Sequence, residues 1–199
     1  MHALLVVSHP VHTSLTHSVA IAIAQGIAGA NPENTFEIAD LTQEGFNPVF
    51  SVSDMAAFQC TGATLPDVIA EQSRIDNADA LVLVFPIYWW SMPGLLKGWI
   101  DRVFSNGWAY EETADGNVIK KLRHLPVHLV ALGAANQRTF EKRGYADAFH
   151  AQIDHGIFDY CGASVLTSEM LLMPELGTPE ACIDAARHIG GRIFQSSLF

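Results

Sequence analysis

A short apolar run followed by an aromatic loop and a helix is the feature that most constrains the fold of this chain. Residues 80–85 are too few, and too closely flanked by helix breakers, to form a helix, so the run predicts a buried strand. The strand ends at Pro86, and Pro93 opens a predicted helix over residues 94–105. An open α/β sheet builds a ligand site from such a strand, exposed loop and helix, at the carboxyl end of the strand.

Strand-like and helix-like segments alternate along the chain. The predicted strands are residues 3–7, 35–39, 80–85, 127–132 and 163–170. The predicted helices are residues 14–28, 66–77, 94–105, 145–160 and 179–196. Residues 41–65 are predicted to be irregular, and residues 106–125 to form a polar excursion. The alternation predicts one α/β domain over residues 1–199, a doubly wound five-stranded parallel sheet in the order 2-1-3-4-5 with helices on both faces. A three-layer sandwich with another strand order is the alternative.

Composition and charge exclude several classes of partner. The chain has 49% hydrophobic and 16% charged residues, which is typical of a globular protein. Its formal net charge of −10 argues against nucleic acid and anionic membranes as general partners. No apolar stretch approaches the roughly 20 residues of a membrane-spanning helix, and no basic segment precedes the first strand. Cys60, Cys161 and Cys182 are few and far apart, so we expect a cytoplasmic protein without disulfides.

Three loops are expected to meet at the carboxyl edge of the sheet, after the first, third and fourth strands. Residues 8–16 begin a helix whose free N–H groups suit a phosphate. Backbone N–H groups of residues 87–90 can face the edge of a flat ring on which the aromatic side chains pack. Small side chains in residues 133–137 let the backbone approach a ligand closely. Helix capping, packing of aromatic rings under a loop, and a simple turn are the respective alternatives.

Motifs of several other α/β sites are absent. No G-x-G-x-x-G follows the first strand, and neither G-x-x-x-x-G-K-[ST] nor G-x-S-x-G occurs. His9, His12 and His17 lie close together in sequence, but no cysteine or carboxylate accompanies them at ligand spacing. We therefore predict no metal site.

Four blocks of sequence carry a family resemblance. They are Ser-His-Pro with Thr-Ser-Leu in residues 8–15, Phe-Asn-Pro at 46–48, Asp-Val-Ile-Ala-Glu-Gln at 67–72, and the highly specific segment 85–104. In this order they resemble the flavodoxin-like NAD(P)H:quinone oxidoreductase family, which includes DT-diaphorase and the flavoprotein partners of bacterial potassium-efflux systems. Residues 160–162 and 177–179 extend the resemblance over nearly the whole chain.

The resemblance implies a noncovalently bound flavin that NADH or NADPH reduces and a quinone-like acceptor reoxidises in the same pocket, a ping-pong cycle. The residues implied to hold the phosphate and ribityl region are His9, Thr13, Ser14 and Leu15. Those implied to contact the isoalloxazine are Pro86, Ile87, Tyr88, Trp89, Trp90 and the backbone of Gly133, Ala134 and Ala135. Residues 41–65 resemble FAD-binding members, and Gln59 falls where these contact the adenosine half. The resemblance therefore favours FAD over FMN.

The chain departs from the family pattern after the fourth strand. The family has Thr-Thr-Gly-Gly there, then a Tyr and a His that relay charge during hydride transfer. Here residues 132–135 read Leu-Gly-Ala-Ala, Phe140 replaces the Tyr, and no His matches. Phe140, Trp89 and Trp90 are expected to shape the substrate slot, and Tyr145 is our candidate for the relay. Flavin amides with water, or an unusual substrate, are the alternatives.

The resemblance also implies a homodimer, with candidate contacts in residues 106–125 and 145–160. A regulatory flavoprotein bound to a membrane transporter is an alternative function, since residues 105–110 resemble such members. A one-electron carrier like flavodoxin is another, although the loop containing His9 and Pro10 disfavours it. A flat aromatic slot accepts quinones, nitroaromatics and azo dyes alike, and no basic cluster distinguishes NADPH from NADH.

Overall fold

Within residues 1–195, which the computed structural model describes, five parallel strands form the central sheet. The strands of the chain are β1 (His2–Val7), β2 (Thr35–Asp40), β3 (Ala80–Pro86), β4 (Tyr110–Glu112), β5 (Val118–Lys120), β6 (Pro126–Gly133) and β7 (Ser164–Leu172). The order in the sheet is β2-β1-β3-β6-β7, which confirms the predicted 2-1-3-4-5 order and excludes the alternative sandwich. The carboxyl ends of β1, β3 and β6 are therefore neighbours.

Helices cover both faces of this sheet, as predicted. They are α1 (Leu15–Ala30), α2 (Val52–Phe58), α3 (Pro66–Asp76), α4 (Gly94–Val103), α5 (Gln137–Arg143), α6 (Tyr145–Phe149), α7 (Met173–Leu176) and α8 (Pro179–Arg192). A π-helical stretch, His150–Asp159, continues α6. The predicted end of the last helix at residue 196 lies outside the described residues. Within residues 1–195, no helix is both long and apolar enough to cross a bilayer.

Alternating side chains of the central strands enter two separate cores, because helices pack on both faces. On one face, Leu81, Leu83 and Phe85 pack with α3, α4 and the π-helical stretch. On the other face, Val82 and Val84 pack with α1 and α8. The apolar runs of β1 and β3 are thus buried on both sides, which explains why they lack a polar alternation.

Arg102, buried near the end of α4, holds the segment between β2 and α3 against the sheet. Its guanidinium donates to Asp54 Oδ1 at 3.0 Å, to the Asn47 carbonyl at 2.9 Å and to Asp67 Oδ2 at 2.7 Å. It also lies 5.3 Å from the ring centroid of Phe46. Burial tends to raise the pKa of Asp54, but hydrogen bonds from Ser51 and Arg102 outweigh it and lower that pKa. Several blocks of the family resemblance therefore meet at one buried cation.

The prediction that residues 41–65 are irregular is wrong, because α2 lies within them. Ser51 caps α2 by accepting from the Asp54 backbone N–H, while the Asp54 side chain accepts from the Ser51 backbone N–H at 2.7 Å. This reciprocal pair is a capping box, and the Ser-x-x-Asp spacing was its signal in the sequence.

Two other segments also differ from the predictions. The polar excursion, residues 106–125, contains β4 and β5, which pair as an antiparallel hairpin with Tyr110 opposite Lys120. The predicted helix over residues 145–160 is α6 followed by the π-helical stretch. In addition, α5 and α7 fall in segments where no helix was predicted. These elements are short, and short elements carry little periodic signal.

Candidate functional site

The loops after β3 and β6 enclose a cavity of about 210 Å³ at the carboxyl edge of the sheet. The Ile87 backbone N–H donates to the Leu132 carbonyl at 2.7 Å, which holds the two loops together. The lining residues are Ile87, Trp89, Trp90, Gly133, Ala134, Ala135 and Phe140. The structure thus brings together seven of the residues that the sequence proposed for flavin and substrate.

The two tryptophans form the tip of a tight turn. The Tyr88 and Ser91 backbones exchange two hydrogen bonds, of 2.9 and 3.1 Å. Between them, Trp89 and Trp90 both have positive φ, at 48° and 66°. This is the arrangement of a type I′ turn, which usually takes Asn-Gly because a side chain in the left-handed region costs roughly 1–2 kcal/mol. Strain of this kind clusters at functional sites.

Tyr145 and Phe140 complete an aromatic group around Trp90. The ring centroids of Trp90 and Tyr145 are 4.0 Å apart with planes 15° from parallel, so the rings stack. Phe140 meets Trp90 edge-on, with centroids 5.4 Å apart, and is buried. Trp89, by contrast, is 93% exposed at the rim. The structure therefore places the Tyr145 ring against Trp90, a residue of the cavity lining, while Tyr145 itself is not among the lining residues.

The lack of a side chain at Gly133 matters for packing against its neighbours. A Cβ added to Gly133 would lie 2.6 Å from Leu172 Cδ2 and 3.4 Å from Ile87 Cδ1. Gly133 is buried, whereas Ala134 is exposed and Ala135 is half-buried. Close approach of a ligand to the backbone is therefore possible at Ala134 and Ala135, whereas a side chain at Gly133 would have to displace the end of the Leu172 side chain.

The first loop leads into the amino end of α1. Ser14 is the N-cap, and its Oγ accepts from the His17 backbone N–H at 3.3 Å, so the capping interpretation of Ser14 applies. His9 Nδ1 accepts from the Val11 backbone N–H at 3.0 Å, which shapes the loop. Thr13 is exposed and Leu15 is half-buried. The loop thus presents hydroxyl groups and the positive end of the α1 dipole at this edge of the sheet.

Asp40, at the end of β2, is a charged residue of this edge that the sequence did not reveal. Its Oδ2 lies 2.8 Å from His17 Nε2 and 3.4 Å from His12 Nδ1, and its Oδ1 accepts from the Thr42 and Gln43 backbone N–H groups. Burial tends to raise the pKa of Asp40, but the hydrogen bonds from Gln43 and His17 outweigh it and lower that pKa. The signal was a carboxylate ending the strand that neighbours β1 in the predicted order.

The remaining predicted residues lie apart from the cavity lining. Pro86 ends β3 and Tyr88 begins the tryptophan turn, so both adjoin the cavity without lining it. Gln59 is the C-cap of α2, and it too is not among the lining residues. The carbonyl of neighbouring Phe58 accepts from Asn106 Nδ2 at 3.2 Å, so this end of α2 packs towards the β4–β5 hairpin.

The arrangement agrees with comparisons to known proteins. A family model described as flavodoxin-like fold matches residues 1–187. The chain belongs to this flavodoxin-like family. A relative of this flavodoxin-like chain, the uncharacterized NAD(P)H oxidoreductase YcaK of Escherichia coli, is 38% identical over 142 residues, which are 71% of this chain and 68% of the relative.

Two further matches extend the comparison of the flavodoxin-like chain. The rat protein NAD(P)H dehydrogenase [quinone] 1 is 26% identical over 190 residues, covering 85% of this chain and 68% of the relative. The solved structure of an NAD(P)H:quinone oxidoreductase from Methanothermobacter marburgensis superimposes with a TM-score of 0.85 at 25% identity, covering 96% of this chain and 98% of the other. Similarity to oxidoreductases of this fold thus spans most of the sequence.

Proposed function

We propose that this chain is a flavin-dependent NAD(P)H:quinone oxidoreductase. The observation that carries the proposal is the cavity at the carboxyl edge, where a strained tryptophan turn faces the small residues of the loop after β6. An open α/β sheet binds its ligand at this position. The relatives are named as NAD(P)H oxidoreductases and a quinone dehydrogenase, which supports the same activity here.

The lining fits the ring of a flavin. Pockets for drug-sized ligands have volumes of roughly 300–1,000 Å³. At about 210 Å³, this cavity suits a flat ring and leaves the remainder of a flavin to be held outside it. Indole faces and small aliphatic groups give the apolar, flat walls that such a ring requires.

The proposed binding roles follow from these positions. The phosphate and ribityl region would be held at the amino end of α1, by His9, Thr13, Ser14 and Leu15. The ring would be held by the segment from Pro86 to Trp90 and by backbone N–H groups of residues 133–135, which stabilise negative charge. Asp40, the carboxylate beside His12 and His17, disfavours a phosphate in its immediate vicinity.

The chemistry is divided between the cofactor and the aromatic residues. A bound flavin supplies hydride transfer, in from the nicotinamide and out to the acceptor. Trp89, Trp90 and Phe140 shape the slot that both substrates enter in turn. Phe140 has no proton to give, so we assign the donation of a proton to the acceptor oxygen to the Tyr145 hydroxyl, beside Trp90.

A visible absorption spectrum of the tag-free protein, recorded before and after anaerobic addition of NADPH, tests the activity. We expect a flavin spectrum that bleaches in one step and returns when benzoquinone is added. Trp90→Gly suits the left-handed backbone but removes the ring, so it should retain less flavin. Trp108→Phe, outside the cavity lining, is the matched control. A colourless protein that takes up neither FAD nor FMN would contradict the proposal and favour a binding or regulatory role that uses no flavin.

We further propose FAD as the flavin, because residues 41–65 provide the long segment that FAD-binding members have. The adenosine half would contact Gln59, which is exposed at the end of α2. Chromatography of the flavin released by heating identifies it directly. Gln59→Ala should weaken binding of FAD and leave binding of FMN unchanged. Release of FMN from the protein as purified would overturn this assignment.

A homodimer is the proposed assembly, with contacts in residues 106–125 and 145–160. Ile119 and Tyr160 support it, since they lie in these segments and are 50% and 42% exposed. Light scattering of the active protein should give twice the chain mass. Ile119→Glu should produce monomers with reduced activity, whereas Ile69→Glu, on α3 and 48% exposed, serves as the control. A fully active monomer would exclude the dimer as the functional unit.

A cytoplasmic location is proposed on the state of the cysteines. Cys60, Cys161 and Cys182 are all free thiols in the structure. Burial raises the pKa of Cys161 to about 11, so this thiol resists oxidation. Fractionation of the native cells should find the protein with cytoplasmic markers, and its recovery with an oxidising compartment would contradict the proposal.

A further inference from the structure

We propose that His12, His17 and Asp40 form a binding site for one divalent ion of the Zn²⁺ class. The three donor atoms, His12 Nδ1, His17 Nε2 and an Asp40 oxygen, all lie within 4.8 Å of one another. The sequence prediction of no metal site considered only groups near the histidines in the chain. The fold supplies the missing carboxylate from the end of β2.

The distances between the donor atoms suit a tetrahedral ion. Bonds of about 2.0–2.2 Å in a tetrahedron place ligand atoms about 3.4 Å apart. Asp40 Oδ2 and His12 Nδ1 are already separated by 3.4 Å. Asp40 Oδ2 and His17 Nε2 are 2.8 Å apart, so an ion would widen this pair by roughly 0.6 Å. The His12 side chain is 70% exposed and can rotate to close the site.

Groups behind the ligands already orient them. Ser14 Oγ lies 2.8 Å from His17 Nδ1, and a hydrogen bond from Nδ1–H to this oxygen leaves the Nε2 lone pair for an ion. Asp40 Oδ1 accepts from the N–H groups of Thr42 at 3.1 Å and Gln43 at 3.2 Å, which fixes the plane of the carboxylate. Such outer contacts are a regular feature of metal sites in proteins. Without an ion, Nε2–H donates to Asp40 and Nδ1 accepts from the Ser14 hydroxyl; an ion bound at Nε2 requires the other tautomer, with the ring proton on Nδ1 donating to Ser14 Oγ.

The ligand set determines which ion is preferred. Two imidazoles and one carboxylate favour Zn²⁺, Ni²⁺ or Cu²⁺, whereas Mg²⁺ and Ca²⁺ prefer sites made of oxygen alone. Three protein ligands leave a fourth position open to water. The position is accessible, because His12 is on the exposed loop before α1.

Calorimetric titration of the full-length, tag-free protein with ZnCl₂, after dialysis against a chelator, tests the site. We expect one ion per chain and no comparable binding of Mg²⁺. His12→Ala and Asp40→Asn should each weaken Zn²⁺ binding by at least about tenfold. His188→Ala, an exposed histidine on α8, should leave it unchanged.

The same titration can overturn the proposal. Absence of Zn²⁺ binding, or binding that His12→Ala leaves unchanged, would exclude the site. The His12 substitution is on an exposed loop, so circular dichroism should show an intact fold and loss of binding can be read as loss of a ligand. The readout is the heat of Zn²⁺ binding and not turnover, so failure of this proposal is distinguishable from failure of the proposed oxidoreductase activity.

Discussion

The indole of Trp90 stacks on the phenol ring of Tyr145, with the ring centroids 4.0 Å apart. The first ring belongs to the loop after β3 and the second to the start of α6, so the contact joins segments that are more than 50 residues apart in sequence. It fixes the position of the Tyr145 ring against Trp90, which lines the cavity. The Tyr145 hydroxyl is the group that we propose as the proton donor.

Tyr145→Phe removes that hydroxyl and keeps the stacked ring. We expect flavin to bind as in the parent protein, and reduction of a quinone to slow by about 10²-fold, the lower range for the loss of a general acid. Stopped-flow measurement of the oxidative half-reaction separates this step from reduction by NADPH. An unchanged oxidative rate would remove Tyr145 from the mechanism.

Trp89→Asn relieves a strained backbone at little cost in packing. Trp89 has a φ of 48° and is 93% exposed, and asparagine tolerates the left-handed region better than tryptophan. We expect a gain of about 0.5–1 kcal/mol in the free energy of unfolding, against a weaker affinity for the acceptor. Urea denaturation measures the first, and KM for a quinone the second. The control Tyr88→Asn changes the residue before the strained pair and should not stabilise the protein.

Gly98→Ala should disturb the contact between α4 and the segment after β2. An added Cβ would overlap the Pro48 carbonyl and lie 2.5 Å from Pro48 Cβ. Overpacking of this kind costs about 1–3 kcal/mol, and thermal unfolding should show it as a lower Tm. Gly94→Ala on the same helix meets no atom of residues 1–195 within 4 Å and should be neutral or stabilising by up to about 1 kcal/mol. Equal Tm values for the two variants would contradict this account.

His128 should make the fold sensitive to mild acid. It is buried in β6, and burial lowers its pKa to about 4, against an opposing interaction with the Ile193 backbone. In the unfolded chain the pKa returns to about 6.5, so the unfolded state binds the proton first. Stability is therefore complete above about pH 6.5 and falls as the pH drops to about 4, by about 3 kcal/mol in all.

The variant His128→Gln isolates this effect. The free energy of unfolding, measured by urea between pH 4.5 and 7, should depend less on pH in His128→Gln than in the parent protein. His188→Gln, on the exposed surface of α8, should keep the parent slope. Carboxylates with lowered pKa values, such as Asp40 and Asp54, are present in both proteins, so the difference in slope between His128→Gln and the parent isolates His128. A parent slope retained in His128→Gln would refute the assignment.

The central strands of the fold could be predicted from sequence because burial on both faces of the sheet leaves each of them as a nearly continuous apolar run. Residues 80–85 are entirely buried, and in a parallel sheet both faces of a strand are covered, so the run is continuous. Burial could not predict α2 in the same way, because its seven residues include the exposed apolar side chains of Val52 and Met55. A capping box holds α2, and this signal is local and weak beside a hydrophobic period.

The parts of the site that depend on the order of strands in the sheet could be predicted from sequence. The parts that depend on strand register or on backbone strain could not. The loops after β3 and β6 meet because their strands are adjacent, so the order alone placed residues 87–90 near 133–135. The pairing of Val7 with Asp40 is what brings a carboxylate to His12 of the first loop and His17 of α1, and register is not readable from one sequence. The left-handed turn at Trp89 and Trp90 has no sequence signal, since tryptophan is uncommon in such turns.

The hydrogen bonds of Asp40 hold the carboxyl end of β2, and they affect where this strand separates from β1. As an edge strand, β2 pairs with β1 alone among the strands of residues 1–195. Thr35 and Phe36 at its amino end are exposed, while Ala39 and Asp40 at its carboxyl end are buried. The N–H groups of Thr35 and Leu41 are both hydrogen-bonded, to the Met1 carbonyl at 2.9 Å and to the Val7 carbonyl at 3.0 Å. From the difference in burial we expect amide hydrogens at Thr35 to exchange with solvent sooner than those near Leu41. We therefore expect β2 to separate from β1 first at the end remote from His12 and His17, and to stay paired beside them.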